Sequence, residues 1–450
     1  MKTLHLLRHA KSSWADKSQA DHLRSLNKRG ERSLVLLARC DFVQQLPEIT
    51  IYSSPARRTL ETIQGVCREA AITPRVHQDE ALYTFVMEDL LRWLKQRDDH
   101  ENNILLVGHN DALYDLACYL TGEALDALPT ASYLRLQLDV AHWKDSGAGT
   151  AIVKQWVKPV WISYNEFQRR HRLPGKAQSF AGYFQALPEL VEPVALGMDC
   201  EFLHHYRILL RKMRGVLKQY RKSRLDPQLH AQVRQFLRLN LQLSSPIRDL
   251  DVMLQTLPNW QHALQDDRQL MLLQQFLQEK RRGAYAVFRV FLRSDQYCRL
   301  LHACEAFAAQ EQDNGEGKNW QRKHRHGVGF DQLLQAYRQL QPKSADAEFH
   351  RFRILLKHFR YTADDEQMLC RHQHRQLARL QELLGELQDR TVQLTYLQGF
   401  LQQSLTEPLR QVCETLVQLL QQQQQELRKT ILAGKCFQVD PTSGKTQQKK

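Results

Sequence analysis

Residues 4–11 of the chain, LHLLRHAK, join a short apolar run to an arginine and a histidine. Residues 104–110, ILLVGHN, have the same form, and the apolar run Ile49–Tyr52 leads into residues 53–55, SSP. A short apolar run that ends in polar groups is typical of a buried parallel strand, because such strands are covered on both faces. These runs therefore predict three parallel strands whose carboxyl ends carry polar, chemically active groups.

Helical patterns lie between these runs, over Gly30–Cys40 and Ala56–Ala70, and two later strands are predicted at Tyr133–Leu138 and Ala151–Val157. Strands that alternate with helices predict an α/β sheet. Active sites of such sheets lie at the carboxyl ends of the strands. The fold class predicted for this part of the chain is therefore α/β.

The charge of the chain is distributed unevenly. The 450 residues carry a formal net charge of +14, yet residues 1–163 contain 20 Lys and Arg and 20 Asp and Glu. The whole excess lies in the remainder, as expected for two domains of which only the second meets a polyanion. We predict a first domain over residues 1–163, a linker over 164–189, a second domain over 190–432 and a disordered tail over 433–450.

The second part of the chain is predicted to be all-α. From about Leu190 glycine becomes sparse, and long stretches rich in Leu, Gln and Arg predict helices. The predicted breaks between these helices lie near Asp226-Pro227, Ser245-Pro246, Leu257-Pro258, residues 315–329 and Pro342.

The cysteine content and the hydropathy of the chain indicate the cellular compartment in which the protein is expected. The chain has 9 Cys, an odd number without a Cys-x-x-Cys pair, which favours reduced thiols over a disulfide scaffold or a zinc site. No window approaches the roughly 18 apolar residues of a membrane span, and the apolar start of the chain is too short for a signal peptide. We predict a cytoplasmic protein without a membrane span.

Two helices of the second part carry basic residues at alternating spacings of 3 and 4. The residues of the two basic stripes are His204, Arg207, Arg211, Arg214, Lys218 and Arg221 in the first helix, and His350, Arg353, Lys357 and Arg360 in the second. In each helix an apolar stripe runs one residue ahead, so that the basic stripe adjoins the buried face. The similar segments Ile247–Leu250 and Leu387–Arg390 follow these helices, which favours a duplicated helical unit.

Four short motifs lie in order along the first domain. They are residues 8–14, RHAKSSW, residues 53–58, SSPARR, residues 108–110, GHN, and residues 128–131, LPTA. Together they resemble the histidine phosphatase superfamily, and within it the small phosphohistidine phosphatase branch of the SixA type. The resemblance covers about residues 1–160. It implies a phosphoglycerate-mutase-like fold and a phosphohydrolase that acts through a phosphohistidine intermediate.

The resemblance also implies a role for each matching residue. His9 is the nucleophile, and Arg8, Arg58 and His109 hold the phosphoryl group. Two arginines suit this task because a planar guanidinium donates paired hydrogen bonds to phosphoryl oxygens. Arg57 competes with Arg58 for its role, and the Ser-Pro-x-x-Arg pattern of the family favours Arg58.

The leaving group of such a reaction takes up a proton. Glu80 is our candidate for the donor, while a charge at a helix start is the alternative interpretation. The histidine mechanism needs no metal or other cofactor. A small branch with few insertions implies an open site, which suits phosphate on a protein or on another large substrate. The predicted partners are a phosphorylated protein or a small phosphate substrate.

The helical part resembles the CHAD family, the conserved-histidine α-helical domain. The likeness rests on residues 204–214, 247–251, 350–361 and 384–389, and it covers about residues 190–430. It implies duplicated, pseudo-symmetric four-helix units around a basic channel that binds inorganic polyphosphate. The implied ligands are the two basic stripes with Lys212 and Arg248. Gln388 stands where the first unit has Arg248, which leaves Gln388 in doubt as a phosphate ligand.

The basic stripes themselves indicate the same kind of ligand. Like charges at i, i+4 destabilise a helix, so the stripes need acidic partners, such as Asp249, or a bound polyanion. Polyphosphate has no bases to read, and charge contacts suffice for it. Nucleic acid is disfavoured because no DNA-binding motif is present and the aromatic residues follow the apolar stripe. A metal is disfavoured because basic neighbours repel a cation.

We therefore predict a phosphohydrolase that is tethered to inorganic polyphosphate, in the cytoplasm and at polyphosphate granules. Its predicted substrate is phosphohistidine, a phosphate ester or polyphosphate itself. The alternative prediction is a non-catalytic, granule-associated polyphosphate-binding protein with a vestigial phosphatase domain.

Overall fold

The computed structural model describes residues 1–16, 18–171, 174, 179–218, 226–261, 264, 267–313, 330–365 and 371–433. The chain divides into two compact units, Met1–Lys218 and Gln219–Lys450.

A six-stranded sheet forms the centre of the first unit. Its strands are β1 (Lys2–Arg8), β2 (Thr50–Ser53), β3 (Val76–Gln78), β4 (Asn103–Gly108), β5 (Tyr133–Leu138) and β6 (Ala151–Val157). Their order across the sheet is β3-β2-β4-β1-β5-β6. Strands β1 to β4 pair in parallel. Strand β5 pairs antiparallel with both of its neighbours, β1 and β6.

Nine described helices accompany the sheet in this unit. They are α1 (Lys28–Leu37), α2 (Arg57–Glu69), α3 (Met87–Lys95), α4 (Ala112–Thr121), α5 (Pro159–Ile162), α6 (Tyr164–Gln168), α7 (Phe180–Phe184), α8 (Pro188–Leu196) and α9 (Cys200–Leu217). Short 3-10 helices lie at Asp21–Leu23, Asp41–Glu48, Glu80–Leu82 and Trp143–Asp145.

Two apolar layers cover the faces of the sheet. Leu4 and Leu6 of β1 belong to the layer that includes α3 and α4, whereas Leu7 belongs to the layer that includes α1 and α2. This two-sided burial explains why the central strands are nearly continuous apolar runs. The sheet is thereby held rigidly, and the polar residues at its carboxyl edge project from fixed positions.

Helices α5–α9 pack onto the first unit rather than beginning a separate one. Ile162 is buried in the same apolar layer as Leu7, and Leu196 packs against it. The rings of Tyr164 and Phe167 contact Phe202 of α9 edge-to-face. These contacts explain why the first compact unit extends to Lys218. The predicted domain bounds at residues 163 and 190 stay a prediction. The described part of the predicted linker contains α6 and α7.

The second unit is built from helices in its described residues. They are α10 (Pro227–Trp260), α11 (Asp267–Leu292), α12 (Asp295–Asp313), α13 (Phe330–Arg338), α14 (Asp346–Asp365), α15 (Arg371–Leu401) and α16 (Glu407–Leu432). The series α8 to α11 has lengths of 9, 18, 34 and 26 residues, and the series α13 to α16 has lengths of 9, 20, 31 and 26. This repetition of helix lengths supports the predicted duplication.

The helix break predicted near Ser245-Pro246 is wrong, whereas the break predicted near Leu257-Pro258 agrees with the end of α10 at Trp260. Helix α10 continues through Pro246 and Pro258. Its buried apolar stripe, which includes Ile247, Met253 and Leu257, is uninterrupted across both prolines. Both prolines are exposed, so the carbonyl groups that lose a partner can bond to water. Tertiary packing of the stripe therefore outweighs the local preference of proline.

The predicted order of fold classes, an α/β region followed by helices, is confirmed. The sequence analysis missed the short strand β3, which has three residues and no apolar alternation. In the described parts of the chain, no helix is long and apolar enough to cross a membrane. Residues 315–329 and the predicted tail beyond Ala433 lie outside the described residues.

Candidate functional site

The polar residues that the sequence analysis singled out meet at the carboxyl ends of three strands. Arg8 ends β1 and Gly108 ends β4, and the two residues pair in the parallel register. The backbone N–H of His9 donates to the carbonyl of Gly108 at 3.1 Å. The rings of His9 and His109 consequently lie 5.3 Å apart between centroids. Strand pairing alone thus brings the two histidines together.

The tautomer of His9 is determined by a hydrogen bond to the backbone of the next residue. Its Nδ1 lies 2.7 Å from the carbonyl oxygen of Ala10. Because a carbonyl only accepts, Nδ1 carries the proton and Nε2 carries the lone pair. The N–H of Ala10 in turn donates to Thr62 Oγ1 at 2.9 Å, which anchors the loop to α2. His9 therefore presents a nucleophilic nitrogen in a constrained orientation.

The surroundings of His9 also keep its imidazole neutral. Burial lowers the pKa of His9 to about 4, and the charges of Arg58, Arg8 and Arg24 act in the same direction, against the hydrogen bond to Ala10. A neutral imidazole is the form that attacks phosphorus. His9 is thus in its reactive form at neutral pH.

Acylation by diethyl pyrocarbonate needs a neutral imidazole. It is therefore expected to report the lowered pKa of His9. At pH 5 an imidazole whose pKa is about 4 remains about nine-tenths neutral, whereas one near 6.5 is only about 3% neutral. The acylation rate of the His9 peptide, measured by mass spectrometry, should therefore change little between pH 7 and pH 5. N-acetylhistidine is the control and should slow more than about tenfold. A His9 rate that falls in parallel with the control would contradict the neutral pocket.

Arg58, the second residue of α2, is buried and only 3% exposed. Its Nη1 donates to the carbonyl of Asp21 at 2.6 Å, and its Nη2 donates to Asp21 Oδ2 at 2.8 Å and to His109 Nδ1 at 3.2 Å. A guanidinium has five N–H donors, so these three contacts leave donors for a phosphoryl oxygen. Arg57 instead is exposed and pairs with Glu61 at 2.7 Å.

The adjacent arginines form a matched pair for mutation. Arg58→Gln is expected to lower kcat/KM for a phosphate monoester on the order of 10²-fold, because a preorganised charge at the phosphoryl group is lost. Arg57→Gln should change kcat/KM by less than about twofold, because exposed ion pairs contribute little. Steady-state kinetics of the two variants measures both values. Equal losses in the two variants would show that Arg58 has no special role.

The Arg8 guanidinium has a hydrogen-bond partner at Nη1 but not, among the described residues, at Nε. Its Nη1 donates to the carbonyl of Leu128 at 2.6 Å, and Asn110 Nδ2 donates to the same oxygen at 3.2 Å. Its buried Nε has no partner among the described residues. Burial lowers the pKa of Arg8, although the charge of Asp111 opposes this. The fourth motif, residues 128–131, thus serves to orient Arg8.

His109 is neutral and engaged at both nitrogens. A guanidinium only donates, so His109 Nδ1 accepts from Arg58, and His109 Nε2 donates to Ser54 Oγ at 2.9 Å. Burial lowers the pKa of His109 to about 3, and the charge of Arg58 adds to this effect. A phosphoryl oxygen would therefore have to replace Ser54 as the acceptor of the Nε2 proton.

Two residues of the site were missed by the sequence analysis, Asp21 and Tyr83. The Asp21 carboxylate accepts from Arg58, from Arg24 Nη1 at 2.7 Å and from the Tyr83 hydroxyl at 2.8 Å. Although desolvation raises the pKa of Asp21, these three donors together lower it to about 2. Asp21 is therefore a permanent counterion for Arg58. The requirement of a buried arginine for a counterion was the one available signal.

Glu80 begins the 3-10 helix Glu80–Leu82, and its side chain is exposed. Among the described contacts, no hydrogen bond or ion pair joins its carboxylate to His9 or His109. Asp21 cannot donate a proton near neutral pH, because its pKa is about 2. The role of Glu80 as proton donor stays a prediction.

A cluster of cations lies around Asp389 in the second unit. The positive charges of Arg353 on α14, Arg390 on α15 and Arg248 on α10 all act to lower the pKa of this carboxyl group. Desolvation outweighs them, and the pKa of Asp389 is raised. The charges of cations on three helices therefore act on one carboxylate.

Donors of this cluster and of the basic stripe of α14 have no acceptor in the described part of the chain. They are Arg248 Nη1, Arg353 Nε and Arg360 Nε, and all three atoms are buried. Arg360 Nη1 donates to Gln381 Oε1 at 2.9 Å, and His350 Nδ1 lies 2.6 Å from Gln388 Oε1. Gln388 thus contacts a stripe residue directly. Buried donors without acceptors carry a free-energy cost that an anionic ligand would relieve.

The remaining predicted ligands lie on helices in both units. His204, Arg207, Arg211, Lys212 and Arg214 lie on α9 in the first unit, and Lys218 is its C-terminal cap. The ammonium of Lys212 lies over the ring of Tyr183, 5.2 Å from its centroid. Lys357 of α14 is exposed. Arg221 lies outside the described residues.

A metal-binding cluster is not found in the described residues, where no three His, Cys, Asp or Glu side chains converge. Each of the two sites instead combines several arginines with one carboxylate, Asp21 in the first and Asp389 in the second. Such sites suit anionic ligands.

The fold and the first site thus define an α/β domain that presents a neutral histidine beside arginines at the carboxyl ends of its strands. The family model of the histidine phosphatase superfamily (branch 1) matches residues 4–84, and the model of the CHAD domain matches residues 178–398. The chain belongs to the histidine phosphatase superfamily through its N-terminal region and contains a CHAD domain.

Known proteins show similarity to the N-terminal region. An uncharacterized chloroplastic protein of Arabidopsis thaliana is 30% identical over 158 residues, which are 32% of this chain and 69% of that protein. The SixA protein of Agrobacterium tumefaciens is 23% identical, with a TM-score of 0.30 over 35% of this chain and 98% of that one. A mycobacterial glucosyl-3-phosphoglycerate phosphatase is 15% identical, with a TM-score of 0.26 over 35% of this chain and 98% of that one. The family assignment rests on the family models.

Proposed function

We propose that the protein is a phosphohydrolase that acts through a phosphohistidine at His9 and is tethered to inorganic polyphosphate by its basic helices. The observation that carries the first part is the hydrogen bond of His9 Nδ1 to the carbonyl of Ala10. It leaves the lone pair on Nε2, inside a pocket with two arginines and a second neutral imidazole.

In the first step, His9 Nε2 forms a bond to phosphorus while the bond from phosphorus to the leaving group breaks. The leaving group departs with the electron pair of that bond. Arg58 and Arg8 stabilise the charge on the equatorial phosphoryl oxygens, which is the main requirement of phosphoryl transfer. The Nδ1 proton, held on Ala10, gives the phosphohistidine a stable orientation.

In the second step, water attacks phosphorus and the bond from Nε2 to phosphorus breaks. Orthophosphate is released and His9 returns to its neutral form. The low pKa of His9, about 4, favours this return because the imidazole does not retain a proton at neutral pH.

The proposal of polyphosphate binding rests on Arg248 and Arg353 of the cluster around Asp389 and on Arg360 of the basic stripe of α14. Their buried N–H groups have no acceptor among the described residues, and the charges of Arg248 and Arg353 both act on Asp389, which indicates a concentration of positive charge. A linear chain of phosphates supplies acceptors for such donors without any need for base recognition. The basic stripe of α9 offers a second run of cations with the same spacing.

The substrate proposed for the His9 pocket is phosphohistidine, a phosphate ester or polyphosphate itself. Tethering to polyphosphate would place the protein at polyphosphate granules. It would raise the local concentration of any phosphorylated partner bound there.

The experiment that tests this function uses the full chain. Orthophosphate release is measured from p-nitrophenyl phosphate, from a phosphohistidine-carrying protein and from long-chain polyphosphate, and polyphosphate binding is measured in parallel by filter retention. We expect release from at least one substrate and binding that weakens with salt. Polyphosphate binding without orthophosphate release from any substrate would favour a vestigial phosphatase domain. Orthophosphate release without polyphosphate binding would contradict the proposed tether to polyphosphate.

A further inference from the structure

The loop between the 3-10 helix Glu80–Leu82 and α3 brings an exposed aromatic ring to the His9 pocket. Phe85 is 48% exposed, and the adjacent Val86 is 50% exposed. The Phe85 ring nevertheless lies 5.3 Å from the His109 ring between centroids, with an interplanar angle of 39°. Part of the Phe85 side chain therefore packs on a residue of the pocket, while about half of it faces solvent.

Phe85 is presented from a loop whose conformation is held by hydrogen bonds. Thr84 Oγ1 donates to Asp89 Oδ2 at 2.9 Å, and the N–H of Val86 donates to Thr84 Oγ1 at 3.1 Å. On the other side, the Tyr83 hydroxyl donates to Asp21 Oδ2. A surface that is already ordered costs little entropy when a ligand binds to it.

The aromatic surface is continuous with the phosphoryl-binding groups. The Tyr83 ring lies edge-on to Phe85 at 5.9 Å and edge-on to His109 at 5.4 Å between centroids. The Arg58 guanidinium carbon lies 5.9 Å from the centroid of Tyr83. Charged donors thus occupy the interior of the pocket, and rings occupy its edge.

The geometry of phosphoryl transfer assigns this edge to the leaving group. In an in-line reaction the leaving group lies on the side of phosphorus opposite to the nucleophile. When phosphorus is bonded to His9 and its oxygens contact Arg58, the leaving group projects out of the pocket. The solvent-facing half of Phe85 is an apolar surface beside His109.

We propose that Phe85 is a specificity-determining residue that selects phosphoryl donors with a flat aromatic leaving group. This inference rests on the proposed function, because it takes the His9 pocket as the phosphoryl site. Stacking on a ring that is already in place adds to the affinity of an aromatic group by about tenfold. An aliphatic group of similar size gains burial of apolar surface but no stacking.

Binding of non-hydrolysable phosphonates tests this inference without any need for turnover. Phenyl-, cyclohexyl- and methylphosphonate are titrated by calorimetry into the wild-type chain and into Phe85→Ala and Phe85→Leu. We expect phenylphosphonate to bind the wild type about tenfold more tightly than the methyl compound and several-fold more tightly than the cyclohexyl compound. Both Phe85 variants should lose most of the preference for phenyl and keep their affinity for methylphosphonate within about twofold.

Ile152→Ala is the control for a general effect of removing an exposed apolar side chain, since Ile152 is 57% exposed on β6. It should retain the full preference for phenylphosphonate. A preference that survives Phe85→Ala, or equal affinity of the wild type for phenyl- and cyclohexylphosphonate, would overturn the inference alone. A wild type that binds none of the three phosphonates would overturn the phosphoryl site and with it the proposed function.

Discussion

Replacing His9 by alanine is expected to lower kcat for every substrate of the protein on the order of 10³-fold or more, because the protein atom proposed to form a bond to phosphorus is lost. The effect should fall on kcat more than on KM, since Arg8 and Arg58 remain to bind the phosphate. Steady-state kinetics with p-nitrophenyl phosphate measures both constants.

His142→Ala is the matched control, since His142 is half-exposed and pairs with Asp99 away from the pocket. It should retain nearly all activity. Polyphosphate affinity should be unchanged in His9→Ala, because the basic helices are intact. If affinity and activity fell together in His9→Ala, the division of labour between the two sites would be wrong.

The double variant Arg248→Gln with Arg353→Gln is expected to weaken polyphosphate binding by more than about 10²-fold. Each arginine supplies charge-assisted hydrogen bonds worth about 1.5–3 kcal/mol, and 1.4 kcal/mol corresponds to tenfold in affinity. The dependence of affinity on salt should also become less steep, because fewer counterions are released. Filter retention at several salt concentrations measures both effects.

Arg351 is the matched control for Arg353, two residues away on the same helix. It is exposed and lies 3.7 Å from Glu348. Arg351→Gln removes the same charge and should change the affinity by less than about twofold at moderate salt. A loss in Arg351→Gln equal to that in Arg353→Gln would mean that polyphosphate senses only net charge and that the cluster around Asp389 is not a site.

The strands at the centre of the first unit could be predicted because their burial on both faces leaves a strong pattern. Strands β5 and β6 have the predicted bounds, Tyr133–Leu138 and Ala151–Val157. The continuity of α10 through Pro246 could not be predicted, because it depends on the packing of its apolar stripe against other helices. The local preference of Pro246 for a helix break is opposed by the packing of the apolar stripe of α10, and the helix continues.

Site residues that follow the ends of strands could be predicted, whereas a site residue from a distant segment of the chain could not. His9 and His109 follow directly from the register of β1 and β4. Asp21 lies 37 residues from Arg58 in sequence, within a polar loop that shows no periodicity. Nothing local distinguishes Asp21 from Asp16, whose side chain bonds only within its own turn at Ser18.

The choice between Arg57 and Arg58 shows how helical phase can reveal a site. The two residues begin α2, and its buried face includes Arg58, Thr59 and Thr62. The spacing of Arg58 to Thr62 is one helical turn, and Thr62 Oγ1 donates to the carbonyl of Arg58 at 2.6 Å. The preference for Arg58 in the sequence analysis agrees with this placement.

The most direct test of the central claim is capture of the phosphorylated enzyme. The wild-type chain is mixed with a ³²P-labelled aryl phosphate, quenched in alkali within milliseconds, digested and mapped. The account predicts an acid-labile, alkali-stable label on Nε2 of His9, at the nitrogen that the Ala10 carbonyl leaves free, and none in His9→Ala. Turnover without a label, or a label on any residue other than His9, would contradict it.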